Sequence, residues 1–307
     1  MDAKIVAIVV IALIIGVLIG YAINVPKIQQ LETELEELKE AAGMVPELKQ
    51  QIDELKSENE KLKSELAKYT KSYVDEIKKR GKLIVGTSAD WPPFEYPEDG
   101  GYAGIDIRIA QKIAEKLGVD LEIKDMKFAA LIEALKTGMV DMVIADMTPT
   151  AEREKVVDFS VPYYFSKGHA VLILKESTIS SVEDLYGKKV GVQLGTTQEE
   201  WAKENLKDKA EIMSYNKVYP DMVMVLMRGD VDAIIVGDIV GNILVNKHPE
   251  LKIGLYVGGS SIGGAVAVAE GAEDLKYVIN SVIQELMETG EMEKIFEEEI
   301  TKWMEKE

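Results

Sequence analysis

Three kinds of hydrophobic pattern divide the chain. From Ile5 to Val25 apolar residues run almost without interruption. A helix of roughly 20 such residues spans the hydrocarbon core of a bilayer. The run is longer than the apolar core of about 7–15 residues in a cleaved signal peptide, and no A-x-A-like site precedes Pro26. Residues 1–26 are therefore expected to be an uncleaved transmembrane anchor. Lys4 on its first flank places the N-terminus inside by the positive-inside rule. From 27 to 73 the apolar residues recur at alternating spacings of three and four. Ile28, Leu31, Leu35, Leu38 and Ala42 come first, then Leu48, Ile52, Leu55, Asn59, Leu62, Leu66, Tyr69 and Tyr73 after a break at Gly43 and Pro46. Glu, Lys and Gln fill the positions between. This is heptad patterning, and it predicts a coiled-coil stalk, parallel and dimeric, with Asn59 at an a position. A single amphipathic helix packed on its own domain is the other reading of the same pattern.

From Gly81 onward short apolar runs alternate with amphipathic stretches. Strands are expected at Lys82–Gly86, Val119–Ile123 and Asp141–Ala145, with helices at Ile105–Leu117 and Phe128–Thr137, each stopped by a glycine. A second series begins at His169. It comprises strands at Ala170–Lys175, Lys189–Gln193, Glu211–Met213 and Asp232–Val236, and helices at Ser181–Tyr186, from Gln198, at Tyr219–Arg228 and, briefly, from Ile239. A strand at Ala265–Ala269 and helical sequence from Ala272 to Met304, interrupted at Gly290, close the chain. Alternating β and α predicts parallel sheets with helices on both faces. Ligands bind such sheets at the carboxyl ends of the strands.

Composition narrows the chemistry. The 307 residues contain no cysteine and only two histidines, His169 and His248, with a net charge of −18. Disulfides, thiolate catalysis and Cys-ligated zinc are excluded, and a histidine metal site has too few ligands. No cofactor is expected. So acidic a chain is a poor partner for nucleic acid.

Candidate chemistry concentrates between Val143 and Tyr164. The strand ends in Asp146, followed by Thr148, Pro149, Thr150 and then Arg153. A helix start favours acidic side chains and disfavours a cation, so Arg153 stands against that preference beside hydroxyls and free N–H groups. Its planar fork suits a carboxylate. Asp238 ends the apolar run Asp232–Val236 and is either a helix N-cap or a ligand for a cation. Gly195, Thr196 and Thr197 lie between a strand and a helix, where N–H groups favour an anion. Thr196 also fits an N-cap.

The stretch T-P-T-A-E-R followed by D-F-S-V-P-Y (Thr148 to Tyr163) resembles the signature of the periplasmic amino-acid-binding proteins, solute-binding family 3 of the ABC transporters. The resemblance runs from about Gly81 to Trp303. It implies the two-lobed type II periplasmic-binding-protein fold: two parallel-type sheets joined by a double hinge crossover, here preceded by the transmembrane helix and the coiled-coil helix. The lobes are expected at 74–165 with a return at 262–307, and at 166–261. The chain crosses near Tyr163–Gly168 and returns near Ser260–Gly264, where Gly258-Gly259 and Gly263-Gly264 suit a hinge.

The same resemblance assigns roles. Arg153 and Thr148 hold an α-carboxylate in the first lobe, and Thr196 and Thr197 grip it from the second. Asp238 takes the α-ammonium. Asp146 either helps hold the ammonium or pairs with Arg153. Trp91 and Phe128 stack on the ligand side chain, which suits an aliphatic chain or a delocalised cation. Gln193 adds a hydrogen bond. Ser88 stands where binders of basic amino acids often carry Asp, which argues against a Lys or Arg ligand. The implied function is capture of a free amino acid between two lobes and delivery to an ABC permease, with no catalysis. The membrane, through the N-terminal helix, and a second copy, through the coiled coil, are the other expected partners. The expected place is the cell membrane, single-pass, with the binding domain extracytoplasmic. The alternatives are an enzyme on the same scaffold (cyclohexadienyl dehydratase-like or lytic transglycosylase-like) and an amino-acid sensor.

Overall fold

The α/β region opens with a capped helix. In α1 (Tyr73–Arg80) Ser72 accepts the Asp75 N–H through its hydroxyl, acids fill the first turn, Lys78, Lys79 and Arg80 fill the last, and Gly81 closes the helix in the left-handed conformation. Each choice satisfies the helix ends or their dipole. The computed structural model describes residues 51–52, 54–59 and 72–306. The described residues from Ser72 onward make one compact unit.

β1 (Lys82–Thr87) is followed by a short hairpin, β2 (Tyr96–Glu98) and β3 (Gly101–Ala103), and then by α2 (Ile105–Leu117). Ile105, Ile109 and Ile113 recur one helical turn apart and are fully buried. Burial of each such side chain contributes about 1.5–3 kcal/mol. Gly118 ends the helix in the left-handed region at φ 72°. Next come β4 (Asp120–Asp125), a turn of 3-10 helix at Phe128–Ala130, α3 (Leu131–Lys136), β5 (Met142–Val143) and β6 (Val157–Phe159). β7 (Phe165–Ser166) leads into the second sheet. That sheet is built from β8 (His169–Leu174), β9 (Lys189–Gln193), β10 (Glu211–Tyr215), β11 (Ala233–Gly237) and β12 (Leu251–Val257). Its helices are α4 (Thr197–Leu206), α5 (Val223–Met227) and α6 (Asp238–Lys247). β13 (Ser261–Ile262) returns to β14 (Ala267–Ala269), and α7 (Glu273–Glu288) and α8 (Glu291–Glu305) finish the chain.

The strand order is β4-β1-β5-β14-β6 in the first sheet and β10-β9-β11-β8-β12 in the second. β7 and β13 pair with each other, Ile262 opposite Phe165, and make the two-stranded crossover. The sheets are mixed, which corrects the expectation of parallel ones. β14 enters the first sheet antiparallel to β5 and β6, because it arrives from the other lobe. β8 lies antiparallel to β11 and β12 for the same reason. The helix expected at Ser181–Tyr186 is a single 3-10 turn, Glu183–Leu185, since Asp184 ties back to the Ser180 and Ser181 N–H groups. The segment from Ile239, expected to be short, is a ten-residue helix beginning at Asp238.

The expected transmembrane and coiled-coil helices need correction. Among the described residues no helix is long and apolar enough to cross a membrane. The longest described helix, α7, has 16 residues and alternates a buried with a charged face, against the roughly 20 apolar residues a span needs. The stretch expected to be the anchor, 1–26, and most of the stalk, 27–73, lie outside the described residues. Residues 51–52 and 54–59 are helical, and Tyr73 belongs to α1, whose Ile77 packs in the core of the α/β unit. Among the described residues no membrane-spanning helix supports the single-pass localisation or a membrane partner, and no paired helix supports a homodimer through a coiled coil. These expectations are set aside.

One glycine holds the entrance to α2. Gly104 has φ 126°, and a Cβ there would lie 2.1 Å from the Phe94 carbonyl oxygen. Gly104→Ala is expected to destabilise the unfolding transition by at least about 2 kcal/mol, from backbone strain and the clash together. Gly100→Ala, also at positive φ but with open space around it, should cost about 1 kcal/mol. Denaturant unfolding of the two variants checks the difference, and equal losses would contradict it.

Candidate functional site

Strand ends and loops from both sheets converge on one cavity, with about 500 Å³ of empty volume. Ser88, Trp91, Phe128, Asp146, Thr148 and Arg153 line it from the first lobe, and Gln193, Thr196 and Thr197 from the second. Asp238 is buried just outside the lining. Its oxygens accept from the Ser166 hydroxyl (3.0 Å) and the Lys167 N–H (2.8 Å), so it also pins the crossover strand.

Arg153 sits in a 3-10 turn after Thr150, whose hydroxyl accepts its N–H at 3.3 Å. Arg153 is only 7% exposed. It donates to the Thr148 carbonyl (2.7 Å) and, across the cleft, to the Gly195 carbonyl (2.9 Å). Phe128 lies beneath it, 5.4 Å from ring centre to the guanidinium carbon. Burial lowers its affinity for its proton and Glu200 partly offsets this, yet a guanidinium stays charged. Two neutral carbonyls leave N–H donors of that charge free for an anion. Gly195 reaches this position at φ 82°, against Ala129 of the facing lobe.

The start of α4 completes the anion side. Thr196 is the N-cap, accepting the Glu199 N–H at 3.2 Å and donating to the Gln193 carbonyl at 2.7 Å. Glu199 reaches back to the Gly195 N–H at 2.9 Å, so that group is occupied rather than free. The following N–H groups, at Thr196 and Thr197, head the helix where its dipole favours negative charge.

The cavity also has an acidic side. Trp91 donates its indole N–H to Asp146 (2.8 Å), and the Tyr164 hydroxyl donates to the same carboxylate (2.5 Å). Asp146 holds a left-handed backbone, φ 45°, and its N–H goes to Asp106 at 2.7 Å. Asp106 in turn neighbours Glu95 and the Tyr163 hydroxyl. Glu95 lines the cavity, is fully buried, and has no hydrogen-bond donor on either oxygen. Burial, then the charges of Asp106 and Asp146, push Glu95 well above the usual carboxylate range. Burial pushes Asp106 up to about 7. It also raises Asp146, with the Asp106 charge adding to it and the Tyr164 and Trp91 donors opposing. Burial and mutual repulsion thus favour the protonated form at all three carboxyls.

Sequence reading passed over Tyr164, Ser166, His169 and Gln198, which also line the cavity. His169 is held by Gln198 at 3.2 Å, and burial lowers its pKa. The doublet Tyr163-Tyr164 marked a crossover rather than a wall. Ser88 is turned to Asp90 at 2.6 Å, and Gln193 donates to the same Asp90 at 2.9 Å. Phe94 is fully buried against Tyr164 and Phe296.

A cleft between two mixed sheets, crossed by paired strands and lined by a buried arginine and a helix N-terminus, is matched along residues 83–305 by the model of the bacterial extracellular solute-binding proteins, family 3. The chain belongs to that family. It is 39% identical over 217 residues, 70% of this chain and 84% of the other, to the arginine-binding extracellular protein ArtP of Bacillus subtilis. It is 36% identical over 247 residues to the L-cystine-binding protein TcyJ of Escherichia coli, covering 76% and 91% of the two chains. The solved structure of the amino acid ABC transporter substrate-binding protein AbpA from Streptococcus pneumoniae, bound to L-arginine, superposes with a TM-score of 0.72 at 36% identity, covering 76% of this chain and 100% of that one. The family member is an amino-acid-binding protein that feeds an ABC permease, and its role is not catalytic.

The carboxyl cluster sets a pH dependence. The folded-state pKa of Asp106, about 7, lies above its ordinary 3.8, so between those values the folded chain holds more protons than the unfolded one. Stability therefore falls as pH rises through this window. The melting temperature of the ligand-free chain should drop more steeply from about pH 5 to about pH 8 than that of Asp106→Asn, which keeps an acceptor for the Asp146 N–H but does not ionise. Equal slopes would remove the argument.

Proposed function

We propose that the cavity takes a cationic α-amino acid, L-arginine first among them, with the α-carboxylate on Arg153. One observation carries this reading. Glu95, a buried carboxyl with no donor of its own, lines the same cavity as a buried guanidinium bonded only to carbonyls. A zwitterion with a neutral side chain would answer the guanidinium and leave Glu95 with only the neighbouring Asp106 carboxyl and no cation. An arginine answers both.

In this reading Arg153, the Thr148 hydroxyl and the N–H groups at Thr196 and Thr197 bind the carboxylate. Asp146 and Asp238 supply the negative charge for the α-ammonium. Trp91 and Phe128 flank the aliphatic stem and the planar guanidinium, and Glu95 pairs with the latter. Ser88, which argued against a basic ligand, is spent on Asp90; the acidic partner comes from Glu95 instead. The arginine named in the ArtP and AbpA descriptions supports the choice, while the cystine of TcyJ is the nearest competitor. Binding draws the two lobes together on the β7–β13 crossover.

Thermal unfolding of the 307-residue chain, stripped of any co-purified ligand, against each of the twenty amino acids checks the assignment. Arginine at a hundred times its Kd should add about 2.7 kcal/mol of stability, more than any neutral amino acid, and Arg153→Ala should abolish the shift. A shift with neutral amino acids alone would overturn the cationic reading.

A further inference from the structure

Asp90 belongs to the first lobe, next to Trp91, and is 4% exposed. It is absent from the cavity lining. Its partners are mostly on the other lobe. Oδ2 accepts the Gln193 side-chain N–H at 2.9 Å and the Val218 backbone N–H at 2.5 Å. Its carbonyl oxygen accepts the Tyr219 N–H at 3.0 Å. Within its own lobe the Ser88 hydroxyl donates to Oδ1 at 2.6 Å. Gln193 ends β9, and Val218 and Tyr219 follow β10, so two separate elements of the second lobe close on one residue of the first. Burial pushes its carboxyl up to about 6, as desolvation by the facing lobe requires.

The seam continues on the far side of the same turn. The Tyr219 ring meets Trp303 of α8 edge-on, centroids 5.4 Å apart. Lys247 at the end of α6 donates to the Trp303 carbonyl at 3.1 Å and lies 4.7 Å over its ring. The turn at Lys217–Tyr219 is thus pinned to the first lobe on both sides.

We propose that Asp90 is an interlobe latch, a positioning residue that favours the closed cleft and so sets how tightly an amino acid is held, without choosing which one. Separated lobes leave the Val218 and Tyr219 N–H groups and the Asp90 carboxylate to water. On closing, those buried N–H groups need acceptors, and Asp90 supplies both with one residue. Because water competes for every one of these groups, the latch is worth only the difference between two hydrogen-bonded states. That suits a cleft that must reopen to deliver its ligand. An affinity scales with the fraction of molecules able to close, whichever ligand is present. The inference rests on the amino-acid-binding role and not on arginine as the ligand.

The test uses Asp90→Ala and Asp90→Asn in the whole chain, with calorimetric titration of L-arginine and L-lysine. In parallel, a pair of spin labels is placed one on each lobe at introduced cysteines, which the cysteine-free sequence makes specific. Asp90→Ala should weaken both amino acids by the same factor, between about tenfold and a hundredfold, and leave their ratio unchanged. Asp90→Asn, which keeps the backbone acceptor and one side-chain acceptor, should lose less and carries the test if the alanine variant does not fold. The label distance in ligand-free protein should lengthen in the variants, and this reading needs no ligand at all. An altered arginine-to-lysine ratio would make Asp90 a specificity residue and overturn the proposal. Unchanged affinity with an unchanged label distance would overturn it equally.

Discussion

An arginine 7% exposed, its guanidinium bonded to two carbonyl oxygens and to no carboxylate among its described hydrogen bonds, is the constraint around which this molecule is built. Burying a charge costs several kcal/mol unless an opposite charge meets it. Arg153 is held in that condition by residues from both lobes, Thr148 on one side and Gly195 on the other. On the acidic side Glu95, Asp106 and Asp146 are enclosed together, and burial raises the proton affinity of each. Each half is expensive by itself, and one ligand carrying both charges relieves both. Neither half alone has that property, and the arginine proposed above meets both through its carboxylate and its two cationic groups.

The fold supplies this arrangement through its crossings. Because the chain leaves the first sheet at β7 and returns at β13, strand ends from two sheets face one another, and loops far apart in sequence form one wall. β14 inserts beside β5 and carries the returning chain back under the Asp146 loop. The start of the helix at Thr197 lines the cavity from the second sheet, while Asp106 in the first turn of α2 takes the Asp146 N–H. Asp90 then joins the two lobes outside the ligand's reach.

Local order was readable where a single rule decides it. Ile105–Leu117 is predicted to the residue, because isoleucines repeat at helical spacing and Gly118 stops the run. Lys189–Gln193 is equally clear as an apolar strand. β12 escaped notice because Gly254 and a register shift between Ile253 and Leu255 break its alternation. The antiparallel strands escaped because pairing direction depends on where the chain returns, which periodicity does not report. At the site, nine of the ten residues expected to bind ligand line the cavity, and Asp238 lies just behind it. The part that was not legible is partnership, because roles at the site come from partners distant in sequence. Glu95 matters through Asp106 and Asp146, Tyr164 through Asp146, and Asp90 through Gln193 and Val218. The N-terminal hydrophobic run and the heptads led to a membrane anchor and a stalk, for which the described helices give no counterpart.

The proposed arginine ligand offers the cavity both a carboxylate and a side-chain cation. This is tested most directly by calorimetric titration of the whole chain with L-arginine, agmatine, which lacks the carboxylate, and L-citrulline, which lacks the charge on an otherwise similar side chain. The account predicts that arginine binds and that each analogue is weaker by at least about thirtyfold, the roughly 2 kcal/mol of one buried charge left without its partner. Agmatine or citrulline binding as tightly as arginine would contradict it.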